Sequence, residues 1–271
     1  MSLATTTSRA QAASGPSESV AASSSEALPD APTATVADDD VPLEQRPHRP
    51  VELRYAPTEI VHDGLKMVIS PIYLRKRDLK WIVPIGGAAV AAFATDTHTM
   101  RDVVSTNPSF YDPNRNVSDG LRDGLIALPV VLFGAGVAGH NDHARETGIL
   151  AGQAMVDAFV IDEISKLVTF RERPLVNNGQ GDFYIGSTGA NSSFVSGHAM
   201  IAWSSAAVIA GEYRSKWVQA GVYTAATGVS LTRVLGQEHF PTDALLGSVG
   251  GWLIGHYVYR AHHHADVKHL H

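Results

Sequence analysis

The chain has 271 residues, with 27 acidic against 21 basic side chains, a net charge of −6, and no cysteine. The acidic balance argues against general nucleic-acid binding, which leaves a basic footprint. The lack of cysteine excludes disulfides and thiolate metal sites. Residues 1–50 are mostly Ala, Ser, Thr, Pro and acidic residues, as in "ASGPSESVAASSSEALPDAPTATVADDD". Such a segment cannot bury enough surface to offset its chain entropy and is expected to be a disordered tail. About 200 residues are left for one domain, ample for a single core. No basic run followed by an apolar run marks a signal peptide near residue 1.

Residues 51–78 read as a basic connecting segment that runs into "YLRKRDLK". Six apolar segments follow, over roughly 79–95, 121–139, 144–170, 197–212, 217–234 and 240–260. They are rich in Ala and Gly without period-two alternation, and their lengths suit helices. The connections carry loop chemistry, as in "STNPSFYDPNRNVSDG", "RPLVNNGQGDFYIGSTGANSS" and "EYRSK". The prediction is an all-α six-helix bundle over 79–262. A His-rich tail follows at 263–271; clustered imidazoles can bind a divalent metal, but a solvated tail is the expectation.

Charge-free runs of about 13 to 18 residues fall near or below the ~18 to 20 that cross a bilayer. Asp157, Asp162 and Glu163 in the third segment are costly in lipid unless they face an interior. These two features favour a compact soluble bundle. The opposing signal is that "RKRDLK", "EYRSK" and "YRAHHH" share one side of an alternating bundle, as the positive-inside rule would have it.

Three polar clusters interrupt the apolar segments. The third segment ends in "KLVTFRERP", where Lys166 precedes Arg173 by seven positions and Pro174 is expected to stop the helix. The fourth opens with "SFVSGHAM", placing Ser196, Gly197 and His198 at a helix N-terminus. The stretch "TRVLGQEHFPTD" carries Arg233, His239 and Asp243. An i to i+4 spacing stacks His239 and Asp243 on one helical face, where the carboxylate could hold one ring nitrogen. In an up-down bundle these three clusters share one end. Lys166, Arg173 and Arg233 suit phosphate oxygens, and the N–H groups at Ser196 and Gly197 favour an anion. Of two histidines in such a cradle, one oriented imidazole can attack and the other can protonate a leaving oxygen. Arg171 is expected to be an exposed cation at a helix C-terminus, and Asp96 with His98 a helix-ending polar cluster.

These residues resemble the three-part signature of the type 2 phosphatidic acid phosphatase superfamily, which includes bacterial class A acid phosphatases and vanadium haloperoxidases. Its pattern is K-x6-R-P, then P-S-G-H, then S-R-x5-H-x3-D. Here it reads Lys166, Arg173, Pro174; Val195, Ser196, Gly197, His198; and Thr232, Arg233, His239, Asp243. Val195 stands where the family has proline and Thr232 where it has serine, and neither change removes a functional group.

The resemblance implies the helical bundle of that superfamily, with Lys166, Arg173, Arg233, Ser196 and Gly197 binding the phosphoryl group. It implies that His239 forms a phosphohistidine, that Asp243 orients His239, and that His198 protonates the leaving group. No metal or cofactor is expected, and vanadate should bind as an inhibitor. The expected function is a metal-independent phosphatase acting on phosphate esters, with lipid phosphates and pyrophosphates among the candidate substrates. A vanadate-dependent haloperoxidase, with vanadate as cofactor, is the alternative, disfavoured by chain length. A non-catalytic phosphate-binding module is disfavoured because His239 and Asp243 are both present. The expected place is the cell envelope with the active site facing the periplasm, a soluble exported form being favoured over an integral one.

Overall fold

In the computed structural model, residues 51–69, 75–185 and 192–262 are described, so the expected tails at 1–50 and 263–271 lie outside the described residues. Seven α-helices and no strand form among the described residues. They are α1 (Ala56–Ile69), α2 (Leu79–His98), α3 (Pro108–Ala138), α4 (Asp142–Thr169), α5 (Gly197–Glu212), α6 (Lys216–Leu235) and α7 (Pro241–His262). The six expected helices are α2 to α7. The further helix, α1, lies in the segment read as a connector and turns Ala56, Asp63 and Met67 towards the bundle, an i, i+7, i+11 face.

Helix α3 begins at Pro108, well before the expected 121. Asn107 caps it, its side-chain oxygen accepting from Ser109 N–H at 3.0 Å, and Pro108 takes the first helical position, where its missing N–H costs nothing. "NPSFYDPN" is thus a helix start rather than a loop. Further along, buried Pro129 cannot donate to the Leu125 carbonyl, and Ser205 Oγ of α5 donates to that oxygen instead, at 2.9 Å.

Small residues set the packing. Ala151, Ala154 and Ala158 of α4, Ala202 and Ala206 of α5, and Ala226 of α6 are all fully buried. A stripe of glycines on α7 lets it approach α5 closely. A Cβ at Gly247, Gly251 or Gly255 would stand 2.6, 2.2 or 2.2 Å from the carbonyl oxygens of Ser196, Met200 and Ser204. That contact lays the start of α5 against the start of α7.

The outer helices are apolar on their exposed sides. Leu79–Val103 and α3 are both long and apolar enough to cross a membrane by length and composition. Trp81 (66%), Val83 (66%) and Val90 (70%) of α2 are mostly exposed.

Candidate active site

The backbone brings four helix ends together. Ser196 N–H donates to the Asp243 carbonyl at 3.1 Å, tying the start of α5 to the first turn of α7. Helix α4 ends at Thr169, before Pro174 is reached, because Phe170 adopts a left-handed conformation (φ 44°). The chain therefore leaves the α4 axis and carries Arg171 and Arg173 inward. Arg233 lies at the end of α6, and His239 follows in the loop before α7.

His239 is buried, and its Nδ1 lies 2.7 Å from the Ser193 carbonyl oxygen. A carbonyl can only accept, so Nδ1 carries the proton and Nε2 keeps its lone pair. Burial, then the charges of Arg233 and Arg173, hold the imidazole well below its ordinary pKa and therefore neutral. His198 also lies within electrostatic reach of it. Asp243 does not hydrogen-bond His239, because its Oδ2 stands 4.0 Å from Nδ1. The Asp243 carboxylate accepts instead from Arg171 Nη1 (2.5 Å), Ser193 Oγ (2.5 Å) and Phe240 N–H (3.0 Å). It thereby fixes Ser193, whose carbonyl fixes His239.

Arg171 is not the exposed cation its position suggested. It is 1% exposed, donates to Asp96 Oδ2 (2.7 Å) and the Gly181 carbonyl (3.2 Å), and lies over the Phe240, Phe183 and Phe93 rings at 4.2, 4.8 and 5.5 Å. Asp96 also accepts from the Thr242 amide and hydroxyl, so the end of α2 is locked to the start of α7. His98 instead pairs with Asp102 on the surface.

The cations of the expected cradle converge on carboxylates. Glu238, immediately before His239, accepts from Arg173 and from Arg233 Nη2 at 3.2 Å, and it pairs ionically with Arg115, whose Nε lies 2.7 Å away and donates to the Gly236 carbonyl. Asp119 of α3 lies 2.9 Å from His198 Nε2 and 3.6 Å from Arg233 Nη1. Arg122, one turn on, contacts His198 Nε2 as well. Burial, Arg233 and Arg122 lower the His198 pKa to about 4. Lys166 is held by Asp162 (2.6 Å) and Glu163 (3.2 Å). Asp162 also abuts Gly197, where a Cβ would come within 2.3 Å of its Oδ2. Ser196 caps α5, its Oγ accepting from Ala199 N–H at 3.5 Å. Arg233 Nε is buried without a hydrogen-bond partner, a spare donor at this point.

The structure thus gathers His198, His239, Asp243, Arg173, Arg233, Ser196 and Gly197 around one end of the bundle, with Lys166 joined to them through Asp162. Sequence reading missed Glu238, Asp119, Arg115, Arg122, Ser193 and the inward turn of Arg171. Arg115, Asp119 and Arg122 are spaced i, i+4, i+7, one face of a helix. Reading their stretch as a loop hid that face.

The family model of the PAP2 superfamily matches residues 147–266. Among solved structures, the chain is similar to the first transmembrane PAP2 type phosphatidylglycerolphosphate phosphatase from Bacillus subtilis, at 19% identity and a TM-score of 0.44, over 75% of this chain and 94% of that one. A search of curated proteins gives no match. The family match runs from α4 through α7 and takes in all eight expected site residues. Over those residues, 147–266, this chain is similar to the PAP2 superfamily.

Proposed function

We propose that the protein is a phosphatase of the lipid-phosphate type that works without a metal through a phosphohistidine on His239. The observation that carries this reading is the convergence of Arg173, Arg233 and Arg115 on the Glu238 carboxylate, next to the nucleophile candidate. A carboxylate gripped by three guanidiniums marks where oxyanion charge is welcome, and a phosphoryl group would take its place.

In the proposed reaction, the lone pair on His239 Nε2 forms a bond to phosphorus as the bond to the leaving oxygen breaks. The leaving oxygen takes its proton from His198. Water then attacks phosphorus as it gives a proton back to His198, the P–N bond breaks with its electron pair returning to Nε2, and phosphate leaves with His239 neutral again. Arg173, Arg233 and Lys166 stabilise the charge on the equatorial oxygens throughout. Burial, and after it the charges of Arg233 and Arg122, keep His198 deprotonated in the free site, and the incoming phosphate offsets the arginine part.

A membrane location supports a lipid substrate. Helices α2 and α3 are read as spans, because α2 exposes its apolar side chains and does not bury them in the bundle. Asp96, near the end of α2, bonds to Thr242 and Arg171 at the site. Lys80, at the other end of that helix, and Arg75 and Lys76 just before it, therefore lie about 24 Å or more away. The α5–α6 turn with Arg214 and Lys216 is remote from the site for the same reason. This charge asymmetry favours a site facing away from the cytoplasm, the periplasm in a bacterium.

The reading is tested with a panel of lipid and soluble phosphate esters assayed in EDTA. Phosphate should be released, and vanadate should inhibit competitively as a transition-state mimic. No release from any ester, together with bromide oxidation on adding vanadate and peroxide, would replace it with the haloperoxidase reading.

A further inference from the structure

Away from the active site, three helices meet in a second polar cluster. Glu59, His62 and Asp63 of α1 each offer one ligand atom, and these atoms all lie within 4.8 Å of one another. His262, at the end of α7, brings its Nε2 to 2.7 Å from Asp63 Oδ2 and 4.0 Å from Glu59 Oε2. From α4 comes Asp157, only 2% exposed, whose Oδ2 has no hydrogen-bond partner. Asp157 stands within electrostatic reach of both Asp63 and His262. The 19 residues from Asp243 to His262 put this cluster about 28 Å along α7 from the catalytic end.

We infer that this cluster binds one divalent transition-metal ion, with Zn²⁺ as the best match, and that the ion clamps α1 to α4 and α7. Glu59, His62 and Asp63 form a nitrogen and oxygen donor set that suits Zn²⁺, with His262 beside Asp63 as a further nitrogen, whereas Ca²⁺ and Mg²⁺ take oxygen alone. The buried carboxylates of Asp63 and Asp157 outnumber the one buried imidazole near them, and a cation compensates that charge. Tetrahedral Zn²⁺ holds its ligand atoms about 3.4 Å apart. Binding would replace the proton between His262 Nε2 and Asp63 Oδ2 and widen their 2.7 Å contact to that spacing, while Glu59 and His62, on the more exposed side of the cluster, rotate inward. Gln153 Nε2 donates to Asp63 Oδ2 at 3.0 Å and the Tyr257 hydroxyl to Oδ1 at 3.4 Å, the outer bonds that orient a ligating carboxylate.

The His-rich end of the chain would bind Zn²⁺ by itself, so the test uses the full chain carrying His263→Ala, His264→Ala, His269→Ala and His271→Ala. Zn²⁺ is titrated by calorimetry, and thermal unfolding is followed with and without it. The expected result is one equivalent bound, a Tm raised by Zn²⁺ and restored by EDTA, and phosphate release that EDTA leaves unchanged. Adding Glu59→Gln and His62→Ala, two residues on the outer side, should weaken binding at least about 10-fold and abolish the Tm shift. No bound equivalent in the tail-substituted chain, or binding unchanged by the α1 substitutions, would overturn the inference.

Discussion

Glu238 occupies the place proposed for the substrate phosphoryl group, so the two compete for Arg173 and Arg233. Glu238→Gln removes the charge while keeping the shape. A hydrogen bond to a charged group is stronger than a neutral one by about 1 kcal/mol, so KM should fall about 5-fold and vanadate should bind more tightly. An unchanged or raised KM would place the phosphoryl group elsewhere. Arg122 is predicted to set the pH profile. His198 must be protonated to act as an acid, so the activity it supports is lost as pH rises through its pKa, and the positive charge of Arg122 helps hold that pKa low. Arg122→Gln should therefore move the falling limb of kcat/KM for an alkyl phosphate to higher pH, and a limb displaced to lower pH would contradict the role. Arg171→Ala should cost about 3 to 5 kcal/mol in unfolding free energy, because it leaves Asp96 and Asp243 buried without their cation. Loss below 1 kcal/mol in denaturant titration would count against that network. Spacing assigned the phosphate role to Arg173 and left Arg171 exposed; the burial of Arg171 is decided by rings and carboxylates at positions 93, 96, 183, 240 and 243, remote in sequence and so not legible from spacing.

At the scale of elements, the long apolar runs made α2 and α4 to α7 readable, since their lengths and Ala content suit helices alone. The start of α3 was hidden because Pro108 and Pro113 read as breakers, whereas Pro108 begins a helix capped by Asn107. That misreading concealed the α3 side of the site. The α5–α7 contact was also invisible as a contact, although its glycines at 247, 251 and 255 recur every four residues. Gly251→Ala pushes a methyl group against the Met200 carbonyl oxygen, 2.2 Å away with no side-chain rotation to relieve it. It should destabilise the bundle by about 1 to 3 kcal/mol. It should also lower kcat more than it raises KM, since the bond from Ser196 to Asp243 depends on that approach. Gly152→Ala on α4, where a Cβ meets nothing within 4 Å, is the control and should leave kinetics unchanged and stabilise by up to about 1 kcal/mol through helix propensity. Equal effects of the two substitutions, measured by thermal unfolding and steady-state kinetics, would contradict the packing account.

For the whole molecule, the acidic residues of α4 suggested a soluble bundle, but their placement removes that argument. Asp157 and Asp162 are buried within the bundle and Glu163, 35% exposed, pairs with Lys166, while Val156, Phe159, Val160, Leu167 and Val168 of the same helix are exposed. Apolar outside and polar inside is the arrangement lipid demands. The protein should stay in the membrane pellet through a carbonate wash and need detergent for release; release by carbonate would favour the soluble form. In the proposed reaction the bundle delivers His239 with Nδ1 spent on Ser193 and Nε2 free, within electrostatic reach of Arg233 and Arg173. That arrangement predicts a covalent intermediate. The direct measurement is alkaline quenching of the full-length enzyme during turnover of a phosphate ester, followed by peptide mapping, since phosphohistidine survives base. A phosphoryl group on the peptide carrying His239, absent in His239→Ala and accumulating when hydrolysis is slowed, is the result expected. Phosphate released by an active enzyme with no phosphoryl group on His239, or with one on another residue, would contradict the account.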